Sequence, residues 1–474
     1  MLQNLIELKN LCNRSINRAC WFLDNSYFHP AMEHLPQASS RKVVRAWTFY
    51  DWANSAYSLV ITSALFPIYF SAVTHGSGAD TVRFLGRSFN SESLQSYAIS
   101  AAFLVIAAIS PLLSSMADYS GQKKKFMFFF STLGAIACSC LWFFTGADTL
   151  WIGILCSVVA AIGFAGSIVF YNAYLPEIAP PGMQDRISAR GFAMGYFGSS
   201  LLLIFNLTMI LFPEWYGGIS NGLAMRCSFL LTGVWWFGFA QYSFAHLPKD
   251  PMARPFESDI LTRGYKELQK VWTQLKETPR LKSFLLAFFF YNMAVQTVMY
   301  LATLFGVQEI AWADEDSKQS GLIVCILLIQ FVAIAGAFLF SYLSDRFGNL
   351  RALIGAIWIW MLICIGVYFF VYLPVHFYIT AAFVGMVMGG IQSLSRSTYS
   401  KMLPPTRDHA SYFSFYDVCE KTGTVLGTFA FGFINEMTGS MRHSIVALVI
   451  FFAIGVVLLV RLGRTHHLVS TNIS

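Results

Sequence analysis

The stretch YDWANSAYSLVITSALFPIYF, residues 50–70, places a carboxylate and an amide at the mouth of a long apolar segment. A helix needs about 20 mostly apolar residues to cross a bilayer, and this stretch supplies them. Residues three and four apart share a helix face, so Asp51, Asn54, Ser55, Ser58 and Thr62 form one polar stripe. Because a charge at the bilayer centre costs roughly 2.5–3.5 kcal/mol, we expect this stripe to face protein or water. The alternative is that Asp51 only caps the helix at the interface and that Asn54 only packs helices together.

The composition is that of a polytopic membrane protein. The chain has 474 residues, of which 56% are hydrophobic and 12% charged. Soluble proteins carry about 25% charged residues, twice this fraction. The formal net charge is +7, but the basic residues are scattered between apolar segments and form no dense patch, so nucleic-acid binding is not predicted. The nine cysteines show neither metal-ligand spacing nor a disulfide framework, and no metal or cofactor is expected.

Hydropathy predicts an all-α membrane protein with twelve spans, in two halves of six. The predicted spans are 52–73, 96–117, 126–146, 150–173, 191–212, 223–246, 283–306, 320–343, 352–373, 376–398, 412–435 and 443–462. The predicted organisation is an N-terminal segment 1–51, a first bundle 52–246, a linker 247–282, a second bundle 283–463 and a tail 464–474. Within the linker, residues 256–276 have the spacing of an amphipathic helix lying along the membrane.

The distribution of Lys and Arg predicts the orientation. Most of these residues fall in the N-terminal segment, the linker, the tail and alternate connections, all on one side. The opposite side holds Arg83, Arg87, Arg226, Lys318 and Arg442. The positive-inside rule therefore predicts that both termini are cytoplasmic. We expect a plasma or bacterial inner membrane rather than a vacuolar one.

Two short basic connections repeat between the halves. The pattern D-x-x-G-x-x-[KR] occurs at 118–124, after the second span, and at 345–351, after the eighth. A second echo pairs YDWA at 50–53 with YNMA at 291–294. Together the echoes indicate parallel repeats, an arrangement typical of transporters whose site lies at the repeat interface. The alternative is that the loops are merely short cytoplasmic turns.

These loops resemble the loop motif of the major facilitator superfamily, in which the loop Asp meets a neighbouring helix start and basic residues steady the inward gate. A carboxylate favours a helix N-terminus and Gly permits the sharp turn. The first copy departs from the pattern, because Tyr119 stands where the second has Arg346. The resemblance implies gating roles for Asp118, Gly121, Lys124, Asp345, Arg346, Gly348 and Arg351. Glu177, at the end of the fourth span, is either a gate ion pair or a solvated cap.

Five further stretches carry a narrower resemblance. They are YDWANSAY at 50–57, VFYNAYLPEIA at 169–179, RGFAMGYFG at 190–198, YNMAVQT at 291–297 and IQSLSRS at 391–397. The order and placement of these stretches are similar to those of the autophagy-related vacuolar amino-acid effluxers, a branch of the same superfamily. The resemblance runs from about residue 50 to 432. It implies a carrier with the major facilitator fold that moves a small polar solute such as an amino acid.

Polar residues within other spans complete the candidate cavity. We expect the cavity to be lined by Asp51, Asn54 and Ser58 of the first span and by Asn172, Asn292, Gln296, Tyr300, Gln392, Arg396, Asp417, Glu420 and Lys421 of other spans. Amide side chains offer both donors and acceptors to a zwitterion, and the fork of Arg396 suits a carboxylate. Asp417 lies four residues before Lys421, the favourable order for an intrahelical pair. The alternatives are that Asn172 joins helices, that Arg396 snorkels, and that Lys421 is only structurally paired.

The predicted function is secondary active or facilitative transport by a monomer in the lipid bilayer. No Walker loop G-x-x-x-x-G-K-[ST] occurs, so a gradient rather than ATP would supply the energy. Proton coupling stays open, with Asp51, Glu177, Asp417 and Glu420 as candidate proton sites. A non-transporting receptor or scaffold is the alternative. An intramembrane enzyme is less favoured, because all nine His lie outside the spans or at their ends.

Replacing the cationic side chain predicted inside the eleventh span tests this interpretation. Lys421→Ala is expected to abolish solute flux into proteoliposomes, because the cavity loses its buried ammonium group. Membrane insertion, measured by the yield of folded protein from the membrane fraction, is expected to stay intact. Normal flux in this variant would remove Lys421 from the site.

Overall fold

The computed structural model describes residues 39–75, 81–249 and 259–471. The first 38 residues of the predicted N-terminal segment, residues 250–258 of the linker and residues 472–474 of the tail lie outside the described residues. The strands in the described chain are β1 Thr81–Phe84 and β2 Arg87–Asn90, paired antiparallel with Thr81 opposite Asn90. The hairpin turn consists of Leu85 and Gly86, both with positive φ, as a tight two-residue turn requires.

Helices, most of them long, make up most of the remaining described chain. The first begins as α1, Arg41–Ala56, widens into a π-helix, Tyr57–Leu65, and ends as α2, Phe66–His75. The others are α3 Ser91–Ser120, α4 Lys123–Cys140, α5 Leu150–Ala173, α6 Leu175–Ile178, α7 Pro181–Leu211, α8 Asn221–His246, α9 Ile260–Glu277, α10 Pro279–Glu309, α11 Glu315–Phe347, α12 Asn349–Phe370, α13 Pro374–Met402, α14 His409–Thr438 and α15 Met441–Thr471. The fold is all-α, as predicted.

The first helix begins at Arg41, ten residues before Asp51, although the hydropathy pattern predicted Asp51 at the start of the first span. Ser40 caps it, accepting a hydrogen bond from the N–H of Val43. The helix therefore extends into the predicted N-terminal segment, because a hydropathy window ends where polar residues begin, whereas a helix continues to its cap. As a result Asp51 lies well inside the helix and is 4% exposed. The interfacial-cap alternative for Asp51 does not fit this burial.

Eleven helices of the described chain are long and apolar enough to cross a membrane. The predicted eleventh span, α14, has 30 residues but falls outside this set. It carries Asp417, Glu420 and Lys421, and it packs against α3, α5, α10 and α15. Because neighbouring helices surround it, its polar side chains can face protein rather than lipid.

The same helix pairings occur in both halves of the chain. In the first half, α1 packs against α7 and α8, α4 against α5 and α8, and α3 against α5. The second half repeats this, with α10 against α14 and α15, α12 against α13 and α15, and α11 against α13. The halves meet where α3 and α5 contact α14 and where α7 contacts α11 and α13. The repeated pairing supports the parallel six-helix repeats predicted from the loop motifs.

Glycines bring helix backbones together where a side chain would not fit. A Cβ at Gly389 of α13 would lie 2.0 Å from the carbonyl oxygen of Ala333 in α11, and one at Gly336 1.9 Å from that of Met386. Small residues permit such approach in membranes, where van der Waals packing drives helix association. The short distance between α11 and α13 therefore depends on Gly336 and Gly389, which have no side chains.

The linker contains the predicted amphipathic helix as α9, which packs along α3. Its Gly264 lies against Met116, and Arg263 donates to the hydroxyl of Tyr119, the residue that breaks the first loop motif. At its other end Lys270 pairs with Asp408 at 3.3 Å. A hydrogen bond from Lys270 to Glu267, together with the charge of Asp408, raises the pKa of this lysine. The linker thus contacts both halves.

The glycine contact between α11 and α13 can be tested with a matched pair of variants. Gly389→Ala is expected to cost about 1–3 kcal/mol, because its Cβ would overlap the backbone of α11. Gly355→Ala in α12 has nothing within 4 Å of its added Cβ and is expected to be neutral or stabilising. Thermal unfolding in detergent would measure both, and equal Tm values for the two variants would contradict the packing argument.

Candidate functional site

A cavity of about 230 Å³ lies at the centre of the molecule, lined by both halves. Eleven of the twelve predicted substrate-site residues line it: Asp51, Asn54, Ser58, Asn172, Asn292, Gln296, Tyr300, Gln392, Arg396, Glu420 and Lys421. The remaining one, Asp417, is buried beside Lys421 but does not line the cavity. Residues predicted from separate spans therefore come together in one place.

Arg396 extends from α13 into the first half of the molecule. Its Nε and Nη2 donate to the hydroxyl and carbonyl oxygens of Ser188 in α7, at 3.0 and 2.9 Å. Nη1 lies 3.4 Å from Asp51 Oδ2 and 3.4 Å from Asn172 Oδ1. The guanidinium also lies over the ring of Phe192, 4.1 Å from its centroid. At 3% exposure Arg396 does not snorkel to the membrane surface.

Asp51 is held from three sides. The hydroxyl of Tyr171 donates to its Oδ2 at 2.6 Å, and Arg396 lies on the same oxygen. On the third side, a Cβ at Gly191 would lie 2.5 Å from that Oδ2. Gly191 and Gly195 lie on one face of α7 against Asp51 and Ser55, which explains why the stretch 190–198 is rich in glycine.

The second charged cluster belongs to α14. Lys421 donates to Glu420 Oε1 at 2.6 Å and lies 3.7 Å from Asp417 Oδ1. The predicted partner Asp417 is therefore the more distant of the two. Its Oδ2 is buried without a hydrogen-bond partner among the described residues. Lys421 is 6% exposed and lies 5.5 Å from the ring centroid of Phe103 in α3.

Two amides in equivalent helices present free donors to the cavity. Asn54 and Asn292 are 1% and 6% exposed, and the Nδ2 of each has no hydrogen-bond partner in the described chain. A buried amide left unpaired costs about 1–3 kcal/mol. Both side chains line the cavity, so a solute that accepts hydrogen bonds there would satisfy them.

Several site residues were missed by the sequence analysis. Tyr171 and Ser188 hold the Asp51–Arg396 pair, and Tyr196 donates from α7 to Gln392 Oε1 of α13 at 2.6 Å. Tyr291 of α10, also missed, shares a hydrogen bond of 2.7 Å with Ser395, a polar residue of the predicted tenth span. Tyr171, Tyr196 and Tyr291 lie within the stretches that carried the family resemblance. The family resemblance therefore pointed to these stretches. Tyrosine and serine are common in membrane spans and are uncharged, so the sequence did not single them out as site residues.

The first loop motif closes the end of the molecule where the predicted cytoplasmic loops lie, here called the basic end. Asp118 accepts hydrogen bonds from the N–H groups of Ala410 and Ser411 at 3.2 and 2.7 Å. A carboxylate at a helix N-terminus is favourable there, and this one caps α14 from the other half. Glu177 pairs with Lys123 and lies 3.0 Å from His409 Nδ1. Glu177 thus contacts both halves and is not a solvated cap.

The second loop motif does not make the equivalent contact. Asp345 is exposed, and none of the described residues pairs with it. Instead Asp185, at the start of α7, is 1% exposed and receives hydrogen bonds from the opposite half. Its partners are Ser344 at 2.5 Å, Asn349 at 2.8 Å and Lys401 at 2.6 Å. The carboxylate comes from the first half at both contacts, which the loop repeat could not predict.

The other predicted gating residues differ in whether they make contacts at the basic end. Gly121 and Gly348 both have positive φ, which explains glycine at these turns. Lys124 donates to the carbonyl of Leu247 at 2.8 Å, so its neighbour Lys123 makes the ion pair instead. Arg346 and Arg351 are exposed, and the hydrogen bond of Arg346 is a long one of 3.5 Å to Tyr342 within α11.

Two parallel six-helix halves around a central cavity, joined at one end by polar contacts between loops and helix starts, define a membrane transporter of the major facilitator superfamily. The solved structure of the major facilitator superfamily transporter FucP, in the outward conformation, matches with a TM-score of 0.62 at 15% identity, covering 89% of this chain and 98% of that one. That likeness shows the fold.

The chain belongs to the family described as "Vacuole effluxer Atg22 like", whose model matches residues 39–469. A relative from Bacillus subtilis, described as an uncharacterized MFS-type transporter, YxiO, is 32% identical over 88% of this chain and 94% of its own length. Autophagy-related protein 22-1 of Penicillium rubens is 24% identical over 84% of this chain and 80% of its own. The chain is thus an integral, multi-pass membrane transporter.

The contribution of Asp185 to the contact between the halves can be tested by comparing it with Asp345, the exposed carboxylate of the second loop motif. Asp185→Asn leaves Lys401 without its counter-ion and is expected to cost the closed basic end about 1–3 kcal/mol, shifting its opening equilibrium roughly 5- to 150-fold. The reporter is the alkylation rate of Ser400→Cys in a background lacking native cysteines, because Ser400 is buried one turn from Arg396 on the same face. Asp345→Asn is the control, and equal rates in the two variants would contradict the assignment.

Proposed function

We propose that this protein carries a small zwitterionic solute, an amino acid, across the membrane by alternating access. Charges of both signs in one buried cavity carry this proposal: Asp51 and Arg396, then Glu420 and Lys421. Ionised groups at membrane depth are expensive and are kept where they line a substrate pathway or meet a partner. A zwitterion could satisfy both clusters, because its carboxylate needs donors and its ammonium needs acceptors.

The size and polarity of the cavity support a small solute. Its volume of about 230 Å³ lies below the roughly 300–1,000 Å³ of pockets for drug-sized ligands. The free amide donors of Asn54 and Asn292 come from equivalent helices of the two halves. A solute bound between them would contact both halves at once, which is what alternating access requires of its binding site.

The pattern of contacts between the halves supports an inward-closed state. Asp118, Glu177 and Asp185 join the halves at the basic end, and the Asp51–Arg396 pair joins them where it lines the cavity. In the proposed cycle the bundles 52–246 and 283–463 rock about the cavity, separating these contacts so that the basic end opens. By the positive-inside rule, the basic end and both termini are cytoplasmic, in a plasma or bacterial inner membrane.

Counterflow in proteoliposomes tests the transport proposal directly. Vesicles that contain the purified protein and a high internal concentration of an unlabelled amino acid are expected to accumulate the same labelled amino acid from outside. Imposing a pH gradient in parallel would show whether protons are coupled to the flux. Accumulation no greater than in protein-free vesicles, for every amino acid tested, would refute the proposal.

A pair of asparagine variants separates cavity contact from ordinary packing. Asn292→Leu removes a free donor from the cavity and is expected to reduce counterflow at least tenfold, because one charge-assisted hydrogen bond is worth about 1.5–3 kcal/mol. Asn206→Leu is the matched control, since Asn206 is also fully buried with an unpartnered amide but does not line the cavity. Equal loss of flux in both variants would count against a solute contact at Asn292.

A further inference from the structure

Arg396, which lines the cavity, joins the two halves of the protein. It belongs to α13, yet its hydrogen bonds and ring contacts among the described residues all go to α1, α5 and α7. Trp47 and Phe192 lie against its guanidinium, 4.8 and 4.1 Å from ring centroid to Cζ. Any opening of the basic end must therefore remove this side chain from the first half.

The contacts of Arg396 are unequal in quality. Its bonds to Ser188 measure 2.9 and 3.0 Å, whereas both distances to Asp51 Oδ2 are long, 3.4 and 3.5 Å. A good guanidinium–carboxylate pair uses two oxygens at about 2.7–2.9 Å. Asp51 meets Arg396 through one oxygen only, and that oxygen also accepts from Tyr171 at 2.6 Å. Arg396 thus has an imperfect partner on the side that faces the cavity.

The cavity lining offers a zwitterion one available group of each sign. Glu420 lines the cavity, whereas its neighbour Asp417 does not. Arg396 lines the cavity with only long contacts to Asp51. A solute ammonium therefore fits next to Glu420, and a solute carboxylate next to Arg396. Lys421, already 2.6 Å from Glu420, is less available to an anion.

We propose that the carboxylate of the solute replaces Asp51 as the partner of Arg396, and that this exchange weakens the contact between the two halves at the basic end, where Ser188 still accepts from Arg396. The exchange breaks a contact between α1 and α13, since a charge paired with the solute no longer attracts Asp51. Asp51 keeps its hydrogen bond from Tyr171 and remains in the first half. A solute without a carboxylate has no negative charge with which to compete against Asp51 for Arg396. This inference rests on the proposed function for the identity of its solute.

The test compares an amino acid with its carboxamide analogue in the purified full-length protein. The readout is the alkylation rate of the Ser400→Cys reporter in detergent. With wild-type Asp51 and Arg396, a transported amino acid is expected to raise this rate at least fivefold and its carboxamide not at all. Asp51→Asn is expected to raise the rate at least fivefold without solute, with little further increase on adding the amino acid.

Counterflow tests whether the planar fork of Arg396 is needed to bind the solute carboxylate. Arg396→Lys keeps the charge but loses the fork, and it is expected to reduce amino-acid counterflow at least tenfold. Arg226→Lys, far along the chain in α8 and outside the cavity, is the control and should carry solute normally. Retained flux in Arg396→Lys would overturn the proposed carboxylate contact.

The outcomes separate this inference from the transport proposal. If the protein carries amino acids, but the carboxamide opens the basic end as well as its parent does, the exchange is wrong and the function stands. If no amino acid is carried, the transport proposal is wrong. The contact between the halves is then judged by Asp51→Asn alone, since an unchanged alkylation rate in that variant would overturn it.

Discussion

A charge inside a bilayer must be compensated by protein, and this requirement organises the centre of the molecule. Asp51 and Arg396 are each less than 5% exposed and belong to different halves, and in this structure they compensate one another because the halves meet. Tyr171, Ser188 and Asn172 supply the remaining hydrogen bonds of the pair. A pair that satisfied itself within one half would not distinguish an open state from a closed one. A pair shared between the halves does.

Close helix packing within each half positions the helices that carry this pair. Gly191 allows α7 to approach α1 at the height of Asp51, and Gly389 allows α13 to approach α11. Neither contact leaves room for a Cβ without a shift of its surroundings. Lipid gives no hydrophobic drive between helices, so backbone approach of this kind supplies the van der Waals contact that holds them. The glycines therefore position the charges that they do not themselves carry.

The closed end shows how a repeated sequence can yield unequal contacts. The two loop motifs have the same spacing and the same turn glycines, yet Asp118 caps α14 while Asp345 is exposed. The equivalent contact uses Asp185 from α7, which reaches Ser344, Asn349 and Lys401. Since both carboxylates come from the first half, the second half supplies only donors. A sequence motif cannot predict which half supplies the carboxylate, because it gives the residues of one segment and not their neighbours in space.

The sequence by itself determined the class, the helices and most of the polar residues of the cavity, because apolar length, helical spacing and the expense of charge in lipid are local properties. It could not determine that Asp51 lies ten residues inside its helix, that Lys421 is closer to Glu420 than to Asp417, or that Tyr171 shares the Asp51 site. Those facts depend on distances between segments far apart in the chain. Only the packing of the two halves decided them, since a hydrogen bond depends on a few tenths of an ångström that no residue pattern encodes.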